Sequence, residues 1–338
     1  MFSVVSAVIS RRKNTLMTAY ATGVVCGLQV EFFVRGRNCN YDKMHIVLLI
    51  LLVLFNPCVS KADEKGFSFI YAADSPGKIV IFDSDGKSAW EYPAEMARDV
   101  WKLPNGNVLF PYNLDYNSKI NDGMSGVMEV TPDKKVVLDI KTKGQVFTCQ
   151  RLPNGETLVG AASQGKLLIF DGKGSITKSI TVRNKPGHSC MRYARALSNG
   201  NFIVAEESAR AVREYSAAED LIREFKVDFP PFGVVRLENG NTVISGKASI
   251  VELDSHGKEV WRLSAAEVPL LGVRWFAGFQ VLPNGNLFVC NAGGRIPFFE
   301  ITRDTNKRMI WQSKDKDSGI PVGHGIQRLD SCLQNPLK

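Results

Sequence analysis

Arg98, Arg192 and His324 each stand five residues ahead of a leucine, Leu103, Leu197 and Leu329, that belongs to a recurring short segment. Asp99 follows Arg98 directly, and the stretch after residue 182 adds Arg183, Lys185 and His188. Arg274 and Trp275 hold a comparable place further on. Guanidinium groups pair with carboxylate, sulfate or phosphate, and flat rings stack on the apolar faces of a ligand. Arg98, Asp99, Arg192, His188, Trp275 and His324 are therefore the candidate ligand-binding residues, for an anionic or sugar-like molecule. In an enzyme, His324 or His188 would be the general acid/base and Arg98 and Arg192 would hold the anion. Asp99 is the only obvious acid in the set, so a calcium site is disfavoured. The competing account gives these side chains no ligand: they would only satisfy strand ends at a solvent-lined opening.

What must position these residues is a repeat. Leu103-Pro104-Asn105-Gly106-Asn107 recurs at Leu152–Glu156, Leu197–Asn201, Leu237–Asn241 and Leu282–Asn286. The turn glycines fall at 106, 155, 200, 240 and 285, giving spacings of 49, 45, 40 and 45 residues. Proline presets φ, Asn tolerates the next position and Gly accepts positive φ, so each copy is a tight hairpin turn between β-forming segments. A four-stranded unit of about 40–50 residues is one blade of a β-propeller. Second strands at 68–72, 107–111, 156–160, 201–205, 241–245 and 286–290 predict an all-β, six-bladed β-propeller.

The first blade lacks its innermost strand. Gly325-Ile-Gln-Arg-Leu329 matches the segment that elsewhere precedes the turn, as in Gly278-Phe-Gln-Val-Leu282, and then stops without an Asn-Gly pair. The C-terminal strand is therefore expected to complete blade 1 and close the ring, removing exposed sheet edges. Every innermost strand then ends at a Pro-Asn-Gly-type turn on one face. The candidate residues gather at the channel mouth on the other face. Blade 2 carries a long polar insertion over 113–126, long enough to fold across one face.

The turns Asp83-Ser-Asp-Gly-Lys87 and Asp254-Ser-His-Gly-Lys258 lead into strands holding Trp90 and Trp261, and Trp311 occupies the same place in blade 6. Together with the Leu-Pro-Asn-Gly-Asn turns, this pattern resembles pyrroloquinoline-quinone-like β-propeller repeats and, more distantly, arylsulfotransferase-type repeats. The resemblance covers 67–330. It implies propeller architecture, with most repeat residues used in packing. Quinone-dependent dehydrogenases of this type have a larger ring, a tryptophan in nearly every blade and acidic calcium ligands, so no cofactor is expected here. The arylsulfotransferase likeness implies a histidine ahead of such a turn, a context that only Gly323-His324-Gly325 keeps.

The chain has 338 residues and a net charge of +8, of which residues 1–62 supply +5 and the remainder only +3. That balance, without a basic and aromatic pattern, argues against nucleic acid as a partner. Of seven cysteines, Cys149, Cys190, Cys290 and Cys332 follow the leader, with no CxxC spacing. They read as buried small side chains, with Cys149 and Cys190 as an alternative redox pair. No phosphate loop, serine elbow or zinc motif is present.

Residues 45–56 are apolar and are followed by Pro57 and Ser60-Lys-Ala62, as in a secretory signal cleaved after Ala62. The run is too short to favour a membrane span. The expected organisation is an upstream extension over 1–43, a signal peptide over 44–62 starting at Met44, and the propeller over 63–338. The alternative is a longer leader in which the apolar stretch from Leu16 to Val30 takes part in targeting. The expected protein is periplasmic or secreted. It would act as a ligand-binding or protein-interaction module, with a transferase or hydrolase acting on an anionic substrate, or an envelope scaffold, as alternatives.

Overall fold

The protein is described by a computed structural model, which covers residues 6–12, 16–25, 28–36, 66–75, 77–114, 124–314 and 322–330. The chain divides into two compact units, Met1–Glu64 and Lys65–Lys338. In the first, Ser6–Arg12, Leu16–Val25 and Leu28–Gly36 form an antiparallel three-stranded sheet. Most of the apolar stretch read as a targeting element thus forms strands. The expected signal peptide, 44–62, lies outside the described residues.

The second unit contains six four-stranded antiparallel sheets, the blades of a propeller. Blade 1 pairs Val322–Arg328 with Phe69–Ser75, so the C-terminal strand closes the ring as expected. Each Leu-x-Asn-Gly turn closes in the same way. In the first, the Gly106 N–H donates to the Leu103 carbonyl (2.9 Å), and Gly106 sits at φ +86°, a region few side chains tolerate. The blade 2 insertion is narrower than 113–126. Asn113 ends one strand, Met124–Val130 is the next, and 115–123 lie outside the described residues. Asn113 is buried, and its carboxamide both donates to and accepts from the backbone of Val146 in blade 3 (2.8 Å each). Among the described residues no helix is long and apolar enough to cross a membrane.

Blades are stitched by a second repeated device. Glu129, Glu214, Glu252 and Glu300 are nearly buried on third strands. Each accepts from the last asparagine of its own turn: Asn107, Asn201, Asn241 and Asn286 (2.6–2.7 Å). Each also pairs with an arginine of the next blade: Arg151, Arg236, Arg303 and Arg328. Where the third strand has Ile81 or Ile169 instead, the next blade offers Lys102 or Ala196 in place of arginine. In blade 3 the turn itself then ends in Glu156, not asparagine. Acid, amide and arginine are kept or replaced together, because a desolvated charge left alone is costly. The fourth-strand tryptophans do similar work: Trp90 and Trp261 donate to the Pro132 and Asp304 carbonyls of the following blade, 2.9 Å each. Trp311 packs on Phe67.

Candidate functional site

The mouth residues sit where the innermost strands break register. Pairing shifts between Val146 and Thr148, Pro231 and Val234, Phe276 and Phe279, and Gly323 and Ile326. Phe147, Phe232, Ala277 and His324 fall in these bulges, which re-aim a side chain off the regular sheet. In blades 2 and 4, Arg98 and Arg192 precede the regular strand, which begins at Trp101 and at Ala194. The common offset of five residues from the turn leucine therefore brings all six to one level of the axis.

The structure joins five of the six predicted residues. The Arg98 and Arg192 guanidiniums lie over the Phe147 ring, 4.8 and 4.9 Å from its centre. His324 stacks on Phe232 (5.4 Å, 16°), and Trp275 meets the same ring edge-on at 6.4 Å. His188 meets Phe147 edge-on and is held between Arg192 (Nε2 to Nη2, 3.1 Å) and Gln145 (Nδ1 to Oε1, 3.1 Å). Arginine can only donate, so Nε2 accepts and the ring proton is on Nδ1, donated to Gln145.

Asp99 does not belong to this cluster. Its carboxylate accepts from Arg195 Nη1 (2.8 Å) and Nη2 (3.1 Å), from Thr148 Oγ1 (2.8 Å) and from the Val100 and Cys149 N–H groups (3.1 and 3.2 Å). It lines a cavity on the turn side of the axis. Successive residues of an extended chain point opposite ways, so Arg98 faces one end and Asp99 the other.

Acids do stand at the mouth, and sequence reasoning missed them. Asp74 lies 3.5 Å from Arg98 Nη2 and 3.8 Å from His324 Nδ1, and Glu207 lies 2.6 Å from Arg192 Nη2. Both end second strands. Glu207 follows the turn glycine Gly200 by seven residues, a second fixed offset that could have found it. Each guanidinium is thus matched by a carboxylate.

The histidines are neutral. Burial, with Arg192 and Arg98 adding to it, lowers the His188 pKa to about 4. His324 is pushed well below its usual range by burial first, then by Arg98 and Arg192. The sequence-based expectation of a positively charged ring becomes a charge-balanced one. Asp74 Oδ1, Arg98 Nε, Gln145 Nε2 and His324 Nδ1 are buried here with no hydrogen-bond partner among the described residues.

Between the two ends the axis is filled. Tyr193, buried, reaches into the space left by Gly278. A Cβ on Gly278 would come within 2.5 Å of the Tyr193 hydroxyl, and one on Gly325 within 2.7 Å of the Asp99 backbone. Cys149 and Cys190 are free buried thiols, not a disulfide. Burial raises both, Cys190 to about 12, which keeps it an unreactive thiol.

A scan against protein-family models finds no match, and comparison with curated proteins finds none. Among solved structures, a Bacteroides caccae protein of unknown function is similar at TM-score 0.67 and 22% identity, over 78% of this chain and 98% of that one. Virginiamycin B lyase from Staphylococcus aureus, as a catalytically inactive histidine-to-alanine variant with quinupristin, is similar at TM-score 0.50 and 15% identity, over 75% of this chain and 86% of that one. A streptogramin B lyase is similar at TM-score 0.51 and 11% identity, over 74% and 83%. At these identities the likeness is one of fold. It supports a β-propeller without assigning the repeats to the quinone-like or sulfotransferase-type groups.

Proposed function

We propose that the protein is an exported binding propeller whose site is the Asp74–Arg98–Gln145–His324 cluster. Of the two ligand classes that the sequence suggests, the charge balance favours the sugar-like one. A buried anion would face two arginines already paired with Asp74 and Glu207, and its own charge would go uncompensated. A hydroxyl donates and accepts at once, so it suits a site offering an acceptor at Asp74 Oδ1 and donors at Arg98 Nε and Gln145 Nε2. The single observation carrying this reading is that these atoms are buried without partners among the described residues, a state native proteins rarely leave unfilled. Trp275, the partly buried ring of this group, supplies a face for the apolar side of a sugar ring.

The transfer or hydrolysis reading is less well supported by the same geometry. A general acid must hold its proton at neutral pH, which a histidine lowered to about 4 does not, and as a general base such a histidine is a weak one. The experiment is a thermal-shift screen of the full chain against uncharged sugars and their sulfate esters, since a ligand that binds only the folded state raises Tm. Uncharged sugars are expected to raise it more than the esters do. Export rests on the sequence of 45–62, and an N-terminus at Asp63 in secreted material is its test.

A further inference from the structure

Beyond that site, we propose a second one at the opposite end of the axis, which takes an uncharged, carbonyl-bearing ligand with an apolar face. A cavity of about 640 Å³ opens there, lined by Trp101, Tyr193, Arg195, Phe279, Gln280 and Gln327 among others. Its volume lies within the roughly 300–1,000 Å³ usual for small-molecule sites. Tyr193 separates it from the histidine-bearing end.

The floor of this cavity is built to donate. Asp99 spends both oxygens on Arg195, Thr148 and two backbone N–H groups. Glu214 spends its oxygens on Asn201 (2.7 Å) and Arg236 (2.9 Å). The Arg195 guanidinium lies over both the Trp101 and Tyr193 rings, 4.8 and 4.3 Å from their centres. Its Nη2 gives one hydrogen to Asp99 Oδ1, while the second and the Nε–H meet no acceptor among the described residues. Gln327 is oriented by the Lys102 N–H, which donates to Oε1 at 2.7 Å and so makes Nε2 the group left over. Gln280 Oε1 accepts from the Arg328 N–H at 2.8 Å.

A donor floor asks for acceptors on the ligand. Arg195 is neutralised by Asp99 and Arg236 by Glu214, and Arg223 and Glu238 carry opposite charges on the lining. An anion would gain no net attraction for its lost hydration, whereas an amide, ester or ketone carbonyl loses little and accepts the same hydrogens. The Trp101 and Phe279 rings favour a flat apolar body beside that carbonyl.

The test uses the full chain and three probes: N-acetylphenylalaninamide, its free acid N-acetylphenylalanine, and 2-phenylethanol, which has no carbonyl. The amide should shift the Trp101 indole N–H resonance and show contacts to Trp101 and Phe279, with the acid and the alcohol binding more weakly. Gln327→Glu keeps an oxygen for the Lys102 N–H and removes the donor. It should weaken the amide about tenfold, the worth of one hydrogen bond, at unchanged Tm. If this variant fails to fold, the wild-type contacts decide. The proposal is overturned if the amide leaves the Trp101 resonance unmoved, if its contacts fall on Phe232, if the acid binds tighter, or if a folded Gln327→Glu protein binds the amide as wild type does. A sugar that binds at the His324 end leaves these outcomes untouched, so the two sites stand or fall separately.

Discussion

The Tyr193 hydroxyl donates to the Arg98 carbonyl, a 3.0 Å bond between residues 95 positions apart. Blades 2 and 4 meet there, and the Gly278 backbone of blade 6 lies against the same hydroxyl. One phenol thus ties three blades and divides the axis into two chambers. Tyr193→Phe should leave that carbonyl unsatisfied at a cost of about 1–2 kcal/mol. Gly278→Ala should cost about 1–3 kcal/mol as overpacking, because its Cβ would also lie 2.5 Å from the His324 main-chain oxygen, which cannot swing away. Denaturant unfolding checks both, and unchanged midpoints would show that the axis is not packed as described.

The Glu–Asn–Arg stitches predict a specific non-additivity. Arg151→Ala strands Glu129 and should cost about 2–4 kcal/mol. The double variant Glu129→Ile with Arg151→Ala imitates the chain's own Ile169 and Ala196 arrangement. It should recover more than half of that loss in a double-mutant cycle. Equal costs for the single and double variants would contradict the reading.

Ring closure makes the last strand essential. Removing 322–338 leaves Phe69–Ser75 paired only with Lys78–Phe82, without its inner antiparallel partner, and takes away Arg328, which pairs with Glu300 and covers Phe67 at 3.8 Å. Cooperative unfolding should be lost, or the midpoint should fall far beyond the ~0.5 kcal/mol typical of exposed positions. A truncated chain with an unaltered midpoint would mean that the strand is dispensable.

Acid should destabilise the fold through its buried imidazoles. His188 is surrounded by Arg192, Arg98 and Gln145, and its folded-state pKa of about 4 lies below the ordinary 6.5. Between those values the unfolded chain binds a proton that the folded one refuses. The stability present above pH 6.5 is therefore lost as pH falls towards 4, by at most about 3 kcal/mol for His188. His324 adds in the same direction. Ligand affinity at that mouth should accordingly be flat from pH 8 to 6, contrary to the weakening expected of a protonated histidine. Imidazole NMR signals of His188 and His324 that move across pH 8 to 5.5 would overturn the neutral assignment.

The sequence is transparent where a repeat carries the signal. The Gly106-type turns, the blade count and the closing role of 322–328 follow from local turn chemistry and spacing. The offset of five residues found Arg98, Arg192 and His324, because each blade bulges at the same level. It failed for Asp99, whose neighbour in an extended chain faces the other end. It also missed Asp74, Glu207 and Gln145, which lie outside that offset, at strand ends that meet their partners only once strands pair and blades pack. The charge of the site was misjudged for the same reason: the arginines were legible, their carboxylate partners were not.

The central claim is that the His324 end binds an uncharged, hydroxyl-bearing ligand. Calorimetric titration at pH 7 of the most stabilising sugar and its sulfate ester, against wild type and Arg98→Ala, tests it most directly. The sugar should bind tighter than its ester, and Arg98→Ala should weaken the sugar by about 1.5–3 kcal/mol. Tighter binding of the ester, or a sugar affinity indifferent to Arg98→Ala, would contradict it.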